Sequence, residues 1–400
     1  MGMPRIVRIL NRLAVGGPVL NAVYLTKYLA PEYETLLVVG EIEDHEKSAA
    51  YLAEQLGIQY VLINGMGRSI NPMSDYSAYR ELKKLFKSFR PDIVHTHAAK
   101  PGALGRLAAS SAKVPAILHT FHGHVFHSYF NSVKTNFFIQ TERMLSKRTD
   151  VIIAISEQQK LELAHEFKIA PLDKFKVVPL GFDLDRFQQN QEEKRLKFRT
   201  EFNLKDDTIA IGIIGRLVPV KNHYLFLKAI NHVLKNSSKN IRAFIIGDGE
   251  TRNDLEKLAF ESSIPYTSEN SPEHIHPLVF TSWRSDIDVI NAGLDIICLT
   301  SFNEGTPVSL IEAQAANKPV LSTRVGGIGD IVIEGETALL ADVRKTEEYA
   351  DLLLQLVNNE ELRLRLGKNS SKHVLDKFSY QRLVKDMSGI YSELLQKQKA

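Results

Sequence analysis

Short runs of β-branched and other apolar residues recur along the chain, and stretches with apolar residues at helical spacing separate them. Strands of a parallel sheet that is covered by helices on both faces have such continuous apolar runs. The alternation therefore predicts an α/β protein built from strand–helix–strand units. The predicted strands are 6–10, 35–39, 60–63, 92–96, 116–121, 151–155 and 176–179 in the first half, and 209–214, 243–246, 277–281, 295–299 and 319–322 in the second half.

The pattern is interrupted near the middle of the chain by a polar stretch rich in charges and glutamines. Since 400 residues exceed what one hydrophobic core usually serves, we expect two domains. We place a first domain at 1–185, a linker at 186–206, a second domain at 207–376 and a closing helix at 377–400. Leu383, Met387 and Ile390 give this last helix an apolar face.

Composition narrows the class of protein. Hydrophobic residues make up 44% of the chain and charged residues 24%, which excludes a disordered or collagen-like protein. The single cysteine, Cys298, excludes an internal disulfide and favours a reducing compartment. The apolar runs are shorter than the ~20 residues of a membrane span, and no signal peptide core precedes Asn11. We therefore expect a cytoplasmic protein.

The net positive charge of the protein comes from the first half of the chain. The net charge of +3 divides into +5 for residues 1–190 and −2 for the rest. This excess does not argue for nucleic acid, but it is compatible with peripheral contact at the inner face of a membrane. A predicted helix at 79–89 carries Arg80, Lys83, Lys84 and Lys87 on one side, which is also the pattern of an ordinary solvated face.

Ligands of open α/β sheets bind at the carboxyl ends of the strands, so the loops there are the candidate sites. The first strand is followed by Gly16-Gly17, whose backbone can approach an anion at the start of a helix; an ordinary tight turn is the alternative.

Histidines cluster after two neighbouring strands. His95 and His97 lie on one face of their strand, and His119, His122, His124 and His127 follow on the next. A metal site is one interpretation, but cysteine and a carboxylate at ligand spacing are missing. We select His122 as a ligand-contacting residue, with a structural histidine as the alternative.

In the second half, Gly215-Arg216 and Lys221 follow the first strand, and Gly247-Asp248-Gly249 follow the next. An arginine and a lysine that bracket a helix N-terminus can hold a diphosphate, and the glycine turn leaves room for a flat group. The alternatives are a cationic surface loop and a tight turn.

Two glutamates stand eight residues apart after a later strand. Glu304 lies in a loop and Glu312 on the helix that follows, with Pro307 suited to its first turn. Free amides at Gly305, Thr306 and Val308 offer an anion site between them. The alternative is a capped helix with an acidic first turn.

In this order, the motifs resemble those of the family-4 glycosyltransferases, retaining enzymes of the two-lobed GT-B fold that use nucleotide-sugar donors. The match is to the family and covers nearly the whole chain, and the segments 100–106 and 122–127 resemble its capsule and exopolysaccharide branch. The resemblance implies two Rossmann-like lobes that face a cleft, the first on the acceptor side and the second binding the donor, with the closing helix crossing back to the first lobe.

The resemblance also implies roles for individual residues. Arg216 and Lys221 would neutralise the donor diphosphate, Glu304 would bind sugar hydroxyls and Glu312 the ribose hydroxyls. His122 would touch the sugar near O6. The remaining donor-side positions are Gly16, Gly17, Gly215, Gly247, Gly249, Gly305, Thr306, Pro307 and Val308.

The implied activity is transfer of a hexose or N-acetylhexosamine from a nucleotide-sugar, UDP-sugar being our expectation, to a glycan or lipid-linked acceptor in bacterial surface-polysaccharide synthesis. We expect front-face attack, without metal or cofactor, rather than double displacement through Glu304. The alternatives are a nucleotide-sugar 2-epimerase of the same fold and a binding protein without catalysis.

Overall fold

The computed structural model describes residues 2–14, 16–42, 48–67, 71–123, 132–268 and 276–398. The chain forms two compact units, Met1–Phe182 with Phe378–Ala400, and Asp183–Lys377. Within the described residues, no helix is both long and apolar enough to cross a membrane.

The first unit contains a parallel sheet of seven strands with helices between successive strands. Its strands are β1 Arg5–Leu10, β2 Glu34–Val39, β3 Tyr60–Leu62, β4 Ile93–His97, β5 Ala116–Phe121, β6 Val151–Ala154 and β7 Phe175–Val177. Its helices before the chain leaves the unit are α1 Gly17–Tyr28, α2 Ala50–Gln55, α3 Pro72–Phe89, α4 Ala99–Ser111, α5 Ser132–Ser146 and α6 Glu157–Leu161.

The second unit repeats this architecture with a second parallel sheet of seven strands. Its strands are β8 Ile209–Ile214, β9 Ile241–Ile246, β10 Tyr266–Ser268, β11 Leu278–Ser282, β12 Ile296–Leu299, β13 Val320–Thr323 and β14 Ala338–Ala341. Its helices are α7 Gln191–Glu201, α8 His223–Asn236, α9 Arg252–Glu261, α10 Ile287–Gly293, α11 Val308–Ala315, α12 Thr346–Asn358 and α13 Glu360–Phe378.

In both sheets the first strand lies inside the sheet, and later strands are added on both sides of it. The strand order is β3-β2-β1-β4-β5-β6-β7 in the first unit and β10-β11-β9-β8-β12-β13-β14 in the second. The chain therefore builds β2 and β3, or β9 to β11, on one side of β1 or β8 and then adds the remaining strands on the other side. In the second sheet β11 lies between β9 and β10. The loops that follow β1 and β4, and those that follow β8 and β12, thus diverge at a topological switch point, where open α/β sheets bind ligands.

The stretch 186–206, which we expected to be a linker, is not one. It belongs to the second unit and includes α7, whose Phe198 is fully buried and packs edge-on against Phe244 of β9 at 5.2 Å between ring centroids. The charges and glutamines that suggested a linker lie mainly on the remaining faces of an amphipathic helix.

The last helix, α14 Tyr380–Lys397, completes the first unit. Leu383, Met387, Ile390 and Leu394 join a core that includes Ile6 and Ile93. Tyr391 is fully buried, and its hydroxyl lies 2.6 Å from His95 Nδ1 and accepts a 3.1 Å hydrogen bond from Arg8. These contacts attach the chain terminus to β1 and β4.

Candidate active site

The loop after β8 is held by the loop after β9. The Gly215 amide donates to the Ile246 carbonyl at 2.9 Å, and the Leu217 amide donates to the Asp248 carbonyl at 2.9 Å. Leu217 is fully buried, whereas the preceding Arg216 is exposed to solvent. A 3₁₀ turn, Pro219–Lys221, follows. Among the described residues, nothing forms an ion pair or hydrogen bond with the Arg216 guanidinium.

Gly247 and Gly249 allow this close packing of backbones. A Cβ at position 247 would lie 2.0 Å from the Gly215 carbonyl oxygen, and one at position 249 would lie 2.3 Å from that of Leu217. Both residues also have positive φ, 140° and 157°. Any side chain here would push the β8 loop away, so these glycines shape the loop that carries Arg216 and Lys221.

The loop after β12 meets the loop after β8 through an ion pair. Lys221 Nζ lies 2.5 Å from Glu304 Oε1, and the Ser301 hydroxyl donates to the same oxygen at 2.5 Å. The Glu304 side chain is 10% exposed and that of Lys221 is 23% exposed. The backbones are joined as well, because the Phe302 amide donates to the Val220 carbonyl at 2.8 Å. The ion pair is therefore largely buried, and the two loops that carry it are joined by a backbone hydrogen bond.

Open amide groups precede α11. The helix begins at Val308, so Pro307 is the residue before the helix rather than part of its first turn. The amides of Gly305, Thr306 and Val308 have no hydrogen-bond partner among the described residues. A Cβ at position 305 would meet nothing within 4 Å. The N-terminus of α11 therefore offers free donors beside the Lys221–Glu304 pair.

Two glycines that the sequence motifs did not indicate, Gly326 and Gly327, lie against the backbone of this loop. The Gly327 amide donates to the Glu304 carbonyl at 2.9 Å, and a Cβ at position 327 would lie 1.9 Å from the Gly305 carbonyl oxygen. At position 326, which has a φ of 49°, a Cβ would lie 2.1 Å from the Glu304 carbonyl oxygen. The available signal was a glycine pair that begins three residues after the buried strand β13.

Glu312 lies on α11, with 13% of its side chain exposed. Burial raises the pKa of this carboxyl to about 7, and Asp288 adds to the effect. Arg186 opposes it, since its guanidinium lies 3.5 Å from Glu312 Oε1. Arg186 is a further residue that the sequence motifs did not indicate, because a lone arginine between Asp185 and Phe187 shows no motif.

The first unit holds the other predicted residues. Gly16 precedes α1 and Gly17 is its first residue, so both stand at a helix N-terminus beyond β1. His122 follows β5, and its Nε2 lies 2.7 Å from Nδ1 of His97 at the end of β4. Burial lowers the pKa of His122 to about 3 and that of His97 well below its usual range.

The other described histidines of this cluster, His95 and His119, have hydrogen-bond partners of their own. His95 contacts Arg8, Tyr391 and Thr120, and His119 contacts the Thr96 hydroxyl at 2.9 Å. His124 and His127 lie outside the described residues. In the part of the chain that is described, no group of three or more His, Cys, Asp or Glu side chains is arranged to hold a metal ion.

Comparison with known families decides the class of protein. Residues 194–373 match the model of glycosyl transferases group 1, and residues 15–186 match that of glycosyltransferase family 4. The chain belongs to the glycosyltransferases. The two matched segments fall on the second and the first unit respectively, so each unit carries one of the two family domains.

Individual relatives agree with this assignment. The glycosyltransferase is 28% identical over 82% of its length, and 82% of the relative's, to UDP-Gal:alpha-D-GlcNAc-diphosphoundecaprenol alpha-1,3-galactosyltransferase of Escherichia coli. It is 27% identical, over 82% of its length and 84% of the relative's, to the capsular polysaccharide biosynthesis glycosyltransferase CapM of Staphylococcus aureus. The structure of Anabaena HepE in complex with UDP matches 98% of this chain and 100% of its own, with a TM-score of 0.81 at 16% identity. The GT-B fold class expected from the sequence is confirmed.

In this glycosyltransferase, the second unit brings most of the predicted donor-side residues to the carboxyl ends of β8, β9 and β12. Arg216, Lys221 and the amides before α11 are positive groups, and Glu304 and Glu312 are hydrogen-bond acceptors. Such a set can bind a ligand that is anionic at one part and rich in hydroxyls at another. His122, Gly16 and Gly17 lie in the first unit, at the carboxyl ends of its strands.

Proposed function

We propose that this chain is a retaining glycosyltransferase that transfers a hexose or N-acetylhexosamine from a UDP-sugar to a glycan or lipid-linked acceptor in bacterial surface-polysaccharide synthesis. The E. coli relative is named for a UDP-Gal donor and a diphosphoundecaprenol acceptor, and the S. aureus relative for capsular polysaccharide biosynthesis. The HepE structure with UDP supports a uridine nucleotide as the donor's leaving group.

The observation that carries the proposal is the Lys221–Glu304 ion pair at the switch point of the second sheet. A buried lysine paired with a carboxylate, beside free helix N-terminal amides, can exchange its partner for a phosphate. Lys221 and Arg216 then neutralise the diphosphate, while Glu304 becomes free to accept hydrogen bonds from sugar hydroxyls. Glu312 accepts hydrogen bonds from the ribose hydroxyls, and Gly305, Thr306 and Val308 donate to the distal phosphate.

The reaction follows from this placement of charge. The bond between the anomeric carbon and the phosphate oxygen breaks, and negative charge grows on the diphosphate. Fixed cations and oriented amides stabilise that charge more in the transition state than in the ground state. In front-face attack the acceptor hydroxyl forms the new bond on the same side, and its proton passes to the departing phosphate oxygen. Side chains supply the positive charge, so we propose that no metal or cofactor takes part.

The first unit supplies the remaining contacts in this proposal. His122 hydrogen-bonds the donor sugar, and the backbone at Gly16 and Gly17 approaches the phosphate or the acceptor. We also propose peripheral contact with the cytoplasmic face of a membrane. The support is the cationic face of α3, where Arg80, Lys84 and Lys87 are exposed beside Met73 and Tyr76, which are 82% and 63% exposed.

The test is release of nucleoside diphosphate from a panel of UDP-, GDP- and ADP-sugars, with and without EDTA and acceptor. Lys221→Met keeps the length of the side chain and removes its charge, and Glu304→Gln does the same for its partner. We expect a UDP-sugar to be used regardless of EDTA, and kcat to fall about 10²–10³-fold in both variants. Lys228→Ala, an exposed lysine of α8, is the matched control and should behave as wild type.

Four results would contradict the proposal. Activity that EDTA abolishes would refute metal independence. A changed sugar released from donor alone would indicate a 2-epimerase. Tight binding of UDP-sugars without turnover on undecaprenyl diphosphate glycans or oligosaccharides would indicate a binding protein. Inverted anomeric configuration in the product, read by proton NMR, would refute retention.

A further inference from the structure

The first unit contains two adjacent histidines at the carboxyl ends of β4 and β5, of which His97 is buried and His122 is partly exposed. His97 is the last residue of β4 and has no exposed surface. It lies opposite Thr120 in the register of β4 and β5, so His122, two residues beyond Thr120, reaches the same edge of the sheet. His97 Nδ1 and His122 Nε2 are 2.7 Å apart, and the two ring planes differ by 22°.

The protonation of this pair is restricted. Burial lowers the pKa of both imidazoles, so each is neutral near pH 7 and carries one N–H. A hydrogen bond between the two rings then requires that one nitrogen donates and the other accepts. The two outer nitrogens, His97 Nε2 and His122 Nδ1, are consequently opposite: one carries a proton and the other a lone pair.

The outer nitrogens are also unpaired. Both are buried, and neither has a hydrogen-bond partner among the described residues. A buried nitrogen without a partner costs about 1–3 kcal/mol. An apolar ring at position 97 would avoid this cost, so packing alone does not account for a histidine there. A ligand hydroxyl at His122 Nδ1 would supply the missing partner.

We propose that His97 is a positioning residue for His122. Its Nδ1 holds the plane of the His122 ring and determines whether His122 Nδ1 presents a proton or a lone pair to the donor sugar. This inference rests on the proposed function, in which His122 touches that sugar.

His97 is itself held in place by its neighbour on the strand. The rings of His95 and His97 have centroids 4.3 Å apart. His95 is anchored on both sides, through its Nδ1 to Arg8 and Tyr391 and through its Nε2 to the Thr120 hydroxyl at 2.7 Å. Since Arg8 can only donate, His95 Nδ1 accepts and Nε2 carries the proton. The anchored ring limits rotation of His97, and so of His122.

Three variants separate positioning from packing. His97→Phe fills the volume without a hydrogen bond, and His97→Asn places an amide where Nδ1 stands. His119→Phe is the matched control, since His119 is a buried histidine on the neighbouring strand that bonds to Thr96 instead. We expect kcat to fall about tenfold to a hundredfold in His97→Phe with little change in the donor KM, because the sugar still binds but is misplaced. His97→Asn should restore most of the activity, and His119→Phe should retain it.

Nitrogen NMR of the histidine rings tests the pair without relying on activity. In the wild type we expect His122 to occupy one tautomer with Nε2 in a hydrogen bond, and in His97→Phe we expect that signal to change to a mixture of tautomers. An unchanged His122 spectrum, or equal losses of kcat in His97→Phe and His119→Phe, would overturn the inference. If Lys221→Met leaves activity intact, the proposed function fails, and the NMR result still decides the positioning.

A fourth variant, His97→Gln, keeps the inference testable if His97→Phe does not fold. The amide of His97→Gln extends to the Nε2 position and does not reach His122 as Nδ1 does. The inference predicts that His97→Asn is active and His97→Gln is not, at similar melting temperatures. Equal activity of the two would contradict it.

Discussion

Glu304 accepts hydrogen bonds from both Lys221 and Ser301 on one oxygen, which leaves its second oxygen for another donor. The pair is largely buried, and a buried ion pair loses in desolvation much of the free energy that it gains from attraction. It also lies where the loops after β8 and β12 diverge. We therefore assign its value to ligand exchange rather than to folding. The contact spans 83 residues of sequence, so the motifs could identify each residue but not their distance.

Glu312 provides a prediction about pH. Its pKa of about 7 lies above that of a free glutamate, so the folded chain binds a proton that the unfolded chain has released. This group's contribution to stability is therefore lost as the pH rises from about 4.5 to about 7. Ribose hydroxyls donate to the ionised form, so donor affinity should change in the opposite direction and be about fivefold weaker at pH 6 than at pH 7.

The measurement is calorimetric titration with UDP between pH 6 and pH 8. Because the phosphate of UDP itself titrates in this range, the wild type is compared with Glu312→Gln, in which only the phosphate contributes. The variant should show a smaller dependence on pH, and Arg186→Gln should shift the wild-type curve to higher pH. Identical curves for wild type and Glu312→Gln would show that Glu312 does not contact the ribose.

At the scale of the elements, the shape of the site depends on loops whose backbones pack directly against each other. Gly327 permits its turn to lie against the loop that carries Glu304 and Gly305. In Gly327→Ala the added methyl group must displace that loop, because the atom it meets is a backbone oxygen. We expect the free energy of unfolding to fall by about 1–3 kcal/mol and UDP binding to weaken. Urea denaturation and UDP titration measure the two effects.

The control for this change is Gly329→Ala in the same turn. A Cβ at position 329 would meet nothing within 4 Å, so both stability and affinity should match the wild type. Equal behaviour of the two variants would mean that the contact between Gly327 and Gly305 does not support the site.

Sequence patterns located the long buried strands because their apolar runs are continuous. They missed β10 and β14 at the two edges of the second sheet, which have three and four residues. The Ala-Leu-Leu-Ala sequence of β14 has no β-branched residue, so nothing in it favours a strand. At α7 the sequence pattern predicted a linker, because most of its residues are charged, whereas the structure has a helix with one buried side.

At the scale of the whole molecule, the chain builds the same doubly wound sheet twice and returns to the first unit with α14. The fold class could be predicted because alternating strands and helices leave few alternatives to a parallel sheet. The attachment of α14 through Tyr391, His95 and Arg8 could not, since those three residues are dispersed over nearly the full sequence.

The central claim is that Lys221 binds the diphosphate of a UDP-sugar in the second unit. Titration of UDP and of uridine into the full chain, as wild type, Lys221→Met and Lys228→Ala, tests it most directly. We predict that wild type and Lys228→Ala bind UDP much more tightly than uridine, and that Lys221→Met loses most of this difference while its uridine affinity is unchanged. If Lys221→Met prefers UDP over uridine as strongly as wild type does, the account is wrong.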